Sequence, residues 1–385
     1  MMNENSNTYR KRFREWRNYV RLKRELNYYL SLFESRGLTV PDEALIRKTL
    51  QTKFPNLKRK AMGDLKIFAI YHHYNWENDS LKPSLEKFGT VRHFDWFDKF
   101  NHQNKAWHKS IKPKMNRDLI DRALQWIEED STDIVFTYLS GEIVTPHTVK
   151  KMSEMGIPMV NMALNDKEAF VGKVKKGLAM GARDICRYFD LCWTSTEDAL
   201  EKYCVEGALP IYLPEGANPE IHKPYDEEKT IDVSFVGQCY GNRPEILKKL
   251  AVQGIRVEAF GYGWPNGPIS TQEMVKMYSR SKINLGFSGV VGYKDRYCLK
   301  GRDFEIPMSG GLYLTEYHPE LEKFYELDQE IVAYVDFNDL LEKIRNLLSN
   351  PKEANEIRKK GMLRARREHT WEKRFEAIFK YFELI

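Results

Sequence analysis

The chain has 385 residues, of which 42% are apolar and 30% charged, so it can bury the cores of two or three domains. Its net charge of +6 is uneven: residues 1–63 hold 15 Lys/Arg against 6 Asp/Glu, whereas the remainder holds 46 against 49. No run reaches the ~20 apolar residues of a membrane helix, and the start lacks the apolar stretch of a signal peptide. The expected location is the cytoplasm, with peripheral contact at an inner membrane face through the basic segment. Five cysteines (Cys186, Cys192, Cys204, Cys239 and Cys298) form no C-x-x-C pair, which argues against a disulfide framework or a zinc knuckle.

Residues 8–35 read as one long helix, with Phe13, Trp16, Val20, Leu26, Tyr29, Leu30 and Phe33 at helical spacing. Arg10, Lys11, Arg12, Arg14, Arg17, Arg21, Lys23 and Arg24 cover its other side. That face is expected to be solvated, with the apolar face docked on the body or on a second copy. An anionic membrane surface or an anionic polymer is the alternative partner. A second helix, 41–53, opens on Pro41-Asp42-Glu43.

From Leu65 strands alternate with helices. Strands are expected at 65–71, 90–94, 133–138, 157–163 and 189–194, with helices at 115–129, 146–155 and 196–206. Such alternation predicts a parallel, doubly wound sheet, which binds ligands at the carboxyl ends of its strands. A polar loop with His72, His73 and Asn75 follows the first strand. Leu213-Pro214-Glu215-Gly216-Ala217-Asn218-Pro219, ending at Pro224, marks a boundary. A second series follows, with strands 231–237, 255–260, 282–287, 312–315 and 331–335 and helices 243–253, 270–280, 318–325, 337–348, 351–368 and 371–384. The predicted domains are a basic helical extension (1–63), two Rossmann-like α/β domains facing across a cleft (64–222 and 223–368), and a final helix (369–385) returning toward the first.

Several residues could carry chemistry. Strand 231–237 runs into Gly237-Gln238-Cys239-Tyr240-Gly241-Asn242-Arg243, where glycine admits an anion and Arg243 opens a helix. In Phe260-Gly261-Tyr262-Gly263-Trp264, Tyr262 or Trp264 could stack on a base. Residues 299–316 combine Lys300, Arg302, Glu305 and the pair Gly310-Gly311. The cations and free glycine N–H groups suit a diphosphate, and the carboxylate suits a sugar diol. Proline is tolerated in the first turn of a helix, so Pro307 predicts that Glu305 lies near a helix N-terminus. For activating an acceptor hydroxyl the candidates are His72, His73, Asp95, His147 and Asp166, with Asp166 and His73 preferred as catalytic groups. No Ser-His-Asp set, H-E-x-x-H motif or Walker loop is present.

The 213–224 linker resembles that of two-domain glycosyltransferases of the GT-B fold. Arg302-x-Phe304-Glu305-Ile306…Gly310-Gly311 and the tail Arg364-Ala365…His369-Thr370-Trp371…Arg374 are similar to the spore-maturation (CgeB-like) group of bacterial glycosyltransferases. The resemblance covers 130–385 well, 65–130 loosely and 1–63 not at all. It implies metal-independent transfer of a sugar from a UDP- or GDP-type nucleotide sugar to a glycan, protein or other polymer, with no cofactor. Glu305 would hold the ribose, and Arg243 and Lys300 would face the diphosphate. Where many relatives carry a second glutamate, eight positions before Glu305, this chain has Tyr297. An epimerase or hydrolase of nucleotide sugars, a non-catalytic sugar-nucleotide or polymer binder, and a nucleic acid acceptor remain open as alternatives.

Overall fold

The computed structural model describes residues 2–74, 76–289 and 297–385, and the side chains of 2–12, 14 and 15 lie outside the description. Asn75 therefore falls outside it, as do the side chains of Arg10, Lys11, Arg12 and Arg14. Two compact units emerge: Leu22–Pro214 with Arg374–Ile385 (the first unit), and Met1–Arg21 with Glu215–Lys373 (the second).

The first unit is built on β1 (Leu65–Ile70), β2 (Gly89–Phe94), β3 (Ile134–Thr137) and β4 (Met159–Ala163). A small hairpin, β5 (Val174–Lys175) and β6 (Leu178–Ala179), comes next, and β7 (Leu191–Thr194) and β8 (Pro210–Tyr212) complete the sheet. The sheet is parallel, in the order β2-β1-β3-β4-β7-β8. Both faces of a parallel sheet are covered, so its strands read as nearly unbroken apolar runs such as Leu65-Lys66-Ile67-Phe68-Ala69-Ile70. The last helix, Trp371–Tyr381, lays Phe375 against Phe136 at 5.1 Å and Phe379 against Phe88 at 5.0 Å between ring centroids.

The second unit has β9 (Ile231–Val236), β10 (Val257–Phe260), β11 (Ser281–Leu285), β12 (Tyr313–Glu316) and β13 (Val332–Tyr334). They form a parallel sheet in the order β10-β9-β11-β12-β13. A buried chain from Ser281 Oγ to Ser234 Oγ (2.8 Å) to Asn284 Oδ1 (3.0 Å) ties β9 to β11. In both sheets the order reverses beside the first strand, at β1/β3 and at β9/β11. Doubly wound sheets open a binding crevice at that point, outside the carboxyl ends.

The basic N-terminal helix runs over Met2–Ser35. Leu22 and Tyr29 are buried, and buried Lys202 pairs with Glu25 at 2.9 Å. Phe13 and Trp16, expected on the docked face, are instead 59% and 58% exposed and stack on each other at 5.9 Å. Helix Glu77–Glu86, absent from the expected elements, opens on the polar Glu77-Asn78-Asp79 and carries Pro83 inside it. The 318–325 helix is only a 3-10 turn, Pro319–Lys323. Among the described residues no helix is long and apolar enough to cross a membrane.

Candidate functional site

The carboxyl ends of β9 and β11 in the second unit gather the cations singled out in the sequence. Arg243 begins helix Arg243–Val252 and is only 4% exposed. Its guanidinium lies 4.0 Å from the centre of the Tyr240 ring and 5.3 Å from that of Phe235, and donates to the Gln238 carbonyl at 2.9 Å. Arg302 stacks over the same Phe235 ring at 5.6 Å. Burial, reinforced by Arg302, pushes the Arg243 pKa down to about 10. Among the described residues neither guanidinium has a carboxylate partner within ion-pair distance. Against burial, Tyr313 and Asp303 raise the Arg302 guanidinium above its ordinary value, whereas Arg243 carries a net desolvation penalty that a bound anion would offset.

Gly237, just past β9, is what allows this. A Cβ there would stand 2.8 Å from Phe235 Cζ and 3.0 Å from Arg302 Nη2. The next loop supports the same strand end, since Trp264 Nε1 donates to the Gly237 carbonyl at 2.8 Å. Trp264 is thus a brace, while Tyr262 is 69% exposed and available for stacking.

Lys300 caps helix Gly301–Met308, and its N–H donates to Asp303 Oδ2 at 2.5 Å. Asp303 in turn accepts from the Tyr313 hydroxyl at 2.6 Å. Glu305 therefore sits in the middle of this helix, and Pro307 in its last turn, not the first. Pro307 has no N–H to give the Asp303 carbonyl, and the helix ends one residue later, at Met308. A second correction concerns Gly310 and Gly311. Their N–H groups are taken by the Pro307 carbonyl (2.9 Å) and the Ile306 carbonyl (3.0 Å), with Gly310 at φ +72°. They stop the helix and offer no free donors to a phosphate.

A partner the sequence did not mark joins Glu305. A Cβ on Gly301 would meet Glu305 Oε1 at 2.8 Å and Glu215 Oε2 at 3.2 Å, so both carboxylates converge on the helix start. Burial, with Glu305 and Asp303 adding to it, pushes the Glu215 carboxyl up to about 8, against the pull of Lys300 and Arg302. His222 Nε2 lies 3.8 Å from Glu305 Oε1. Glu215 and His222 lie in the proline-rich linker, which the sequence marked as a domain boundary and not as part of a site. Tyr297 stacks on His318 with ring centroids 5.7 Å apart.

In the first unit, His72 and His73 follow β1 and Asp95 follows β2. His72 Nδ1 is 2.9 Å from Asp95 Oδ1, and His73 Nδ1 contacts Asp95 Oδ2. Against the upward push of burial, hydrogen bonds from the Phe97 N–H, His72 and the His73 N–H hold the Asp95 carboxyl below its ordinary range. His72 is buried, whereas the His73 side chain is 46% exposed. The same three side chains offer ligand atoms within 4.8 Å of one another and could hold a metal ion. Asp166 stands elsewhere, 4% exposed, accepting from the Tyr203 hydroxyl at 2.6 Å, and burial raises its carboxyl to about 6. His147 is exposed on helix Pro146–Ser153 and joins neither group.

Residues 243–380 match the model of a family described as glycosyl transferase-like. Comparison with curated protein sequences yields no significant match. Among solved structures, sucrose-phosphate synthase from Thermosynechococcus elongatus aligns with a TM-score of 0.57 at 10% identity, over 82% of this chain and 98% of that one. An alpha-glucosyltransferase in complex with UDP gives 0.57 at 11% identity, over 83% and 100%. HepE of Anabaena, in complex with UDP and glucose, gives 0.54 at 9% identity, over 82% and 99%. The fold is the GT-B arrangement of two Rossmann-like domains.

Proposed function

We propose that this protein is a glycosyltransferase that moves a sugar from a UDP- or GDP-type nucleotide sugar to an acceptor hydroxyl. The observation that carries the reading is the pair of guanidiniums, Arg243 and Arg302, over the Phe235 ring at the end of β9, with no carboxylate within ion-pair distance of either among the described residues. The family match over 243–380 and the UDP-bound neighbours support it. Cleaving the sugar–phosphate bond places negative charge on the departing diphosphate. Arg243, Arg302 and Lys300 stabilise that charge without covalent work by the protein. Glu305 accepts the ribose hydroxyls, and Tyr262 offers a face to the base.

Acceptor activation falls to His73 in the first unit. An Nδ1–H donated to Asp95 leaves Nε2 as the lone-pair acceptor of the hydroxyl proton, and the carboxylate steadies the imidazolium that forms. Asp166, its oxygens engaged by Tyr203 and Thr194, acts as a brace. No metal takes part in this reading.

The test is incubation with UDP-, GDP- and dTDP-sugars, with and without acceptor glycans, followed by mass spectrometry. A glycosylated acceptor supports the proposal. An isomerised or hydrolysed donor with no acceptor product refutes transfer, and absence of nucleotide binding in calorimetry refutes the donor site.

A further inference from the structure

At the β1/β3 reversal of the first sheet lies a cavity of about 450 Å³. Its walls come from the loops after three strands: Tyr74 after β1, Tyr138 and Ser140 after β3, and Asp166 after β4, with Trp76 and Glu77 closing one side. The β3 loop is fixed in place by Asn161, whose side chain accepts the Leu139 N–H at 3.0 Å and donates to the Leu139 carbonyl at 3.2 Å. Tyr74 also touches the candidate base pair, with its ring 4.6 Å from that of His72. A molecule in this cavity therefore lies beside the His72–His73–Asp95 cluster, within one and the same unit.

Three aromatic side chains and two carboxylates line this space, and among the described residues no lysine or arginine does. Three lysines of this unit are engaged elsewhere: Lys112 donates to the Gly141 carbonyl, Lys175 pairs with Glu142 at 3.3 Å, and Lys202, whose charge acts on Asp166, pairs with Glu25 at 2.9 Å. The field is negative: burial, then Glu77, Asp95 and Glu142, pushes the Tyr74 hydroxyl up to about 12. Aromatic faces pack on the C–H face of a pyranose ring, and carboxylates accept its hydroxyls. A phosphate would bring like charge against the Glu77 carboxylate, with no lysine or arginine among the described lining residues to pair it.

We infer that this cavity is the acceptor subsite and that it takes a neutral sugar ring while rejecting phosphorylated sugars. The inference rests on the glycosyltransferase reading for the word acceptor, but binding itself is measurable without donor or turnover.

The experiment is calorimetry on the full chain with neutral gluco-, galacto-, manno- and N-acetylated mono- and disaccharides, each matched to its 6-phosphate. At least one neutral sugar is expected to bind at millimolar concentration, with its phosphate at least about tenfold weaker. Equal or tighter binding of the phosphates, or no binding by any neutral member, overturns the inference. Trp76→Ala and Tyr138→Ala should each weaken the neutral sugar by roughly tenfold. Should those variants misfold, Asn165→Arg decides. Asn165 is exposed, lines the cavity and makes no capping hydrogen bond, so arginine there costs the fold little. It should narrow the discrimination against phosphate at least about threefold at low salt, and unchanged discrimination refutes the electrostatic argument. Sugar binding with no nucleotide binding would sink the transfer proposal and leave this one standing.

Discussion

Replacing Arg243 by methionine separates function from stability, because the two should move in opposite directions. The native guanidinium is 4% exposed and its pKa falls from 12.5 to about 10, so its charged form carries a penalty on the order of 3 kcal/mol. That penalty is net of the bond to the Tyr240 hydroxyl; the bond to the Gln238 carbonyl and the position over the Phe235 and Phe287 rings offset part of it. That hydrogen bond from a charged group and one cation–π contact contribute roughly 2 kcal/mol together. Methionine fills the space between Tyr240, Phe235 and Phe287 with an apolar, flexible chain and removes the repulsion from Arg302. The ligand-free variant should thus gain about 1 kcal/mol, a rise in Tm of roughly 2–4 °C. Nucleoside diphosphate should stabilise the native protein and hardly affect the variant, because a lost charge-assisted contact costs about 1.5–3 kcal/mol of affinity. Differential scanning fluorimetry with and without UDP or GDP reads both effects. A variant that melts lower than the native protein yet shifts as much with nucleotide would refute the reasoning.

Other outcomes follow from the same geometry. Glu215 has a folded pKa near 8, above its ordinary value of 4.5. The folded state holds the extra proton between these limits, so stability falls as pH rises through that window, by at most about 1.4 kcal/mol per unit. Glu215→Gln should flatten this slope in urea melts at pH 5 to 8, and an unaltered slope would show that Glu215 is not the titrating group. His73→Ala should lower kcat by about 10²–10⁴ with little change in donor affinity; turnover near the native rate would remove His73 as base. Dialysis against a chelator should leave turnover unchanged, whereas loss restored by zinc or manganese would reassign His72, His73 and Asp95 as metal ligands. Gly237→Ala should push the Arg302 guanidinium away from Phe235 and weaken nucleotide binding at least about tenfold, as isothermal calorimetry would show.

The chain's own residues determined the two α/β halves. Apolar runs such as 65–70 and 231–236, alternating with amphipathic helices, leave a buried parallel sheet as the way to cover both strand faces. Arg243, Lys300, Arg302 and Glu305 were legible because charges flanking strand ends and glycines are unusual without a ligand. Tertiary structure alone decided what each touches. Gly310-Gly311 resembles an anion loop locally, but its N–H groups belong to helix carbonyls that only the folded helix supplies. Glu215 looked like linker because its partners Lys300 and Glu305 lie some ninety positions away in sequence. His72, His73 and Asp95 come together because β1 and β2 are adjacent and parallel, bringing their carboxyl ends side by side. Strand order also sets where the crevices open, and a single sequence carries no local signal for it. Pairing free energy is spread over whole strands, so the order is chosen only when the sheet is assembled.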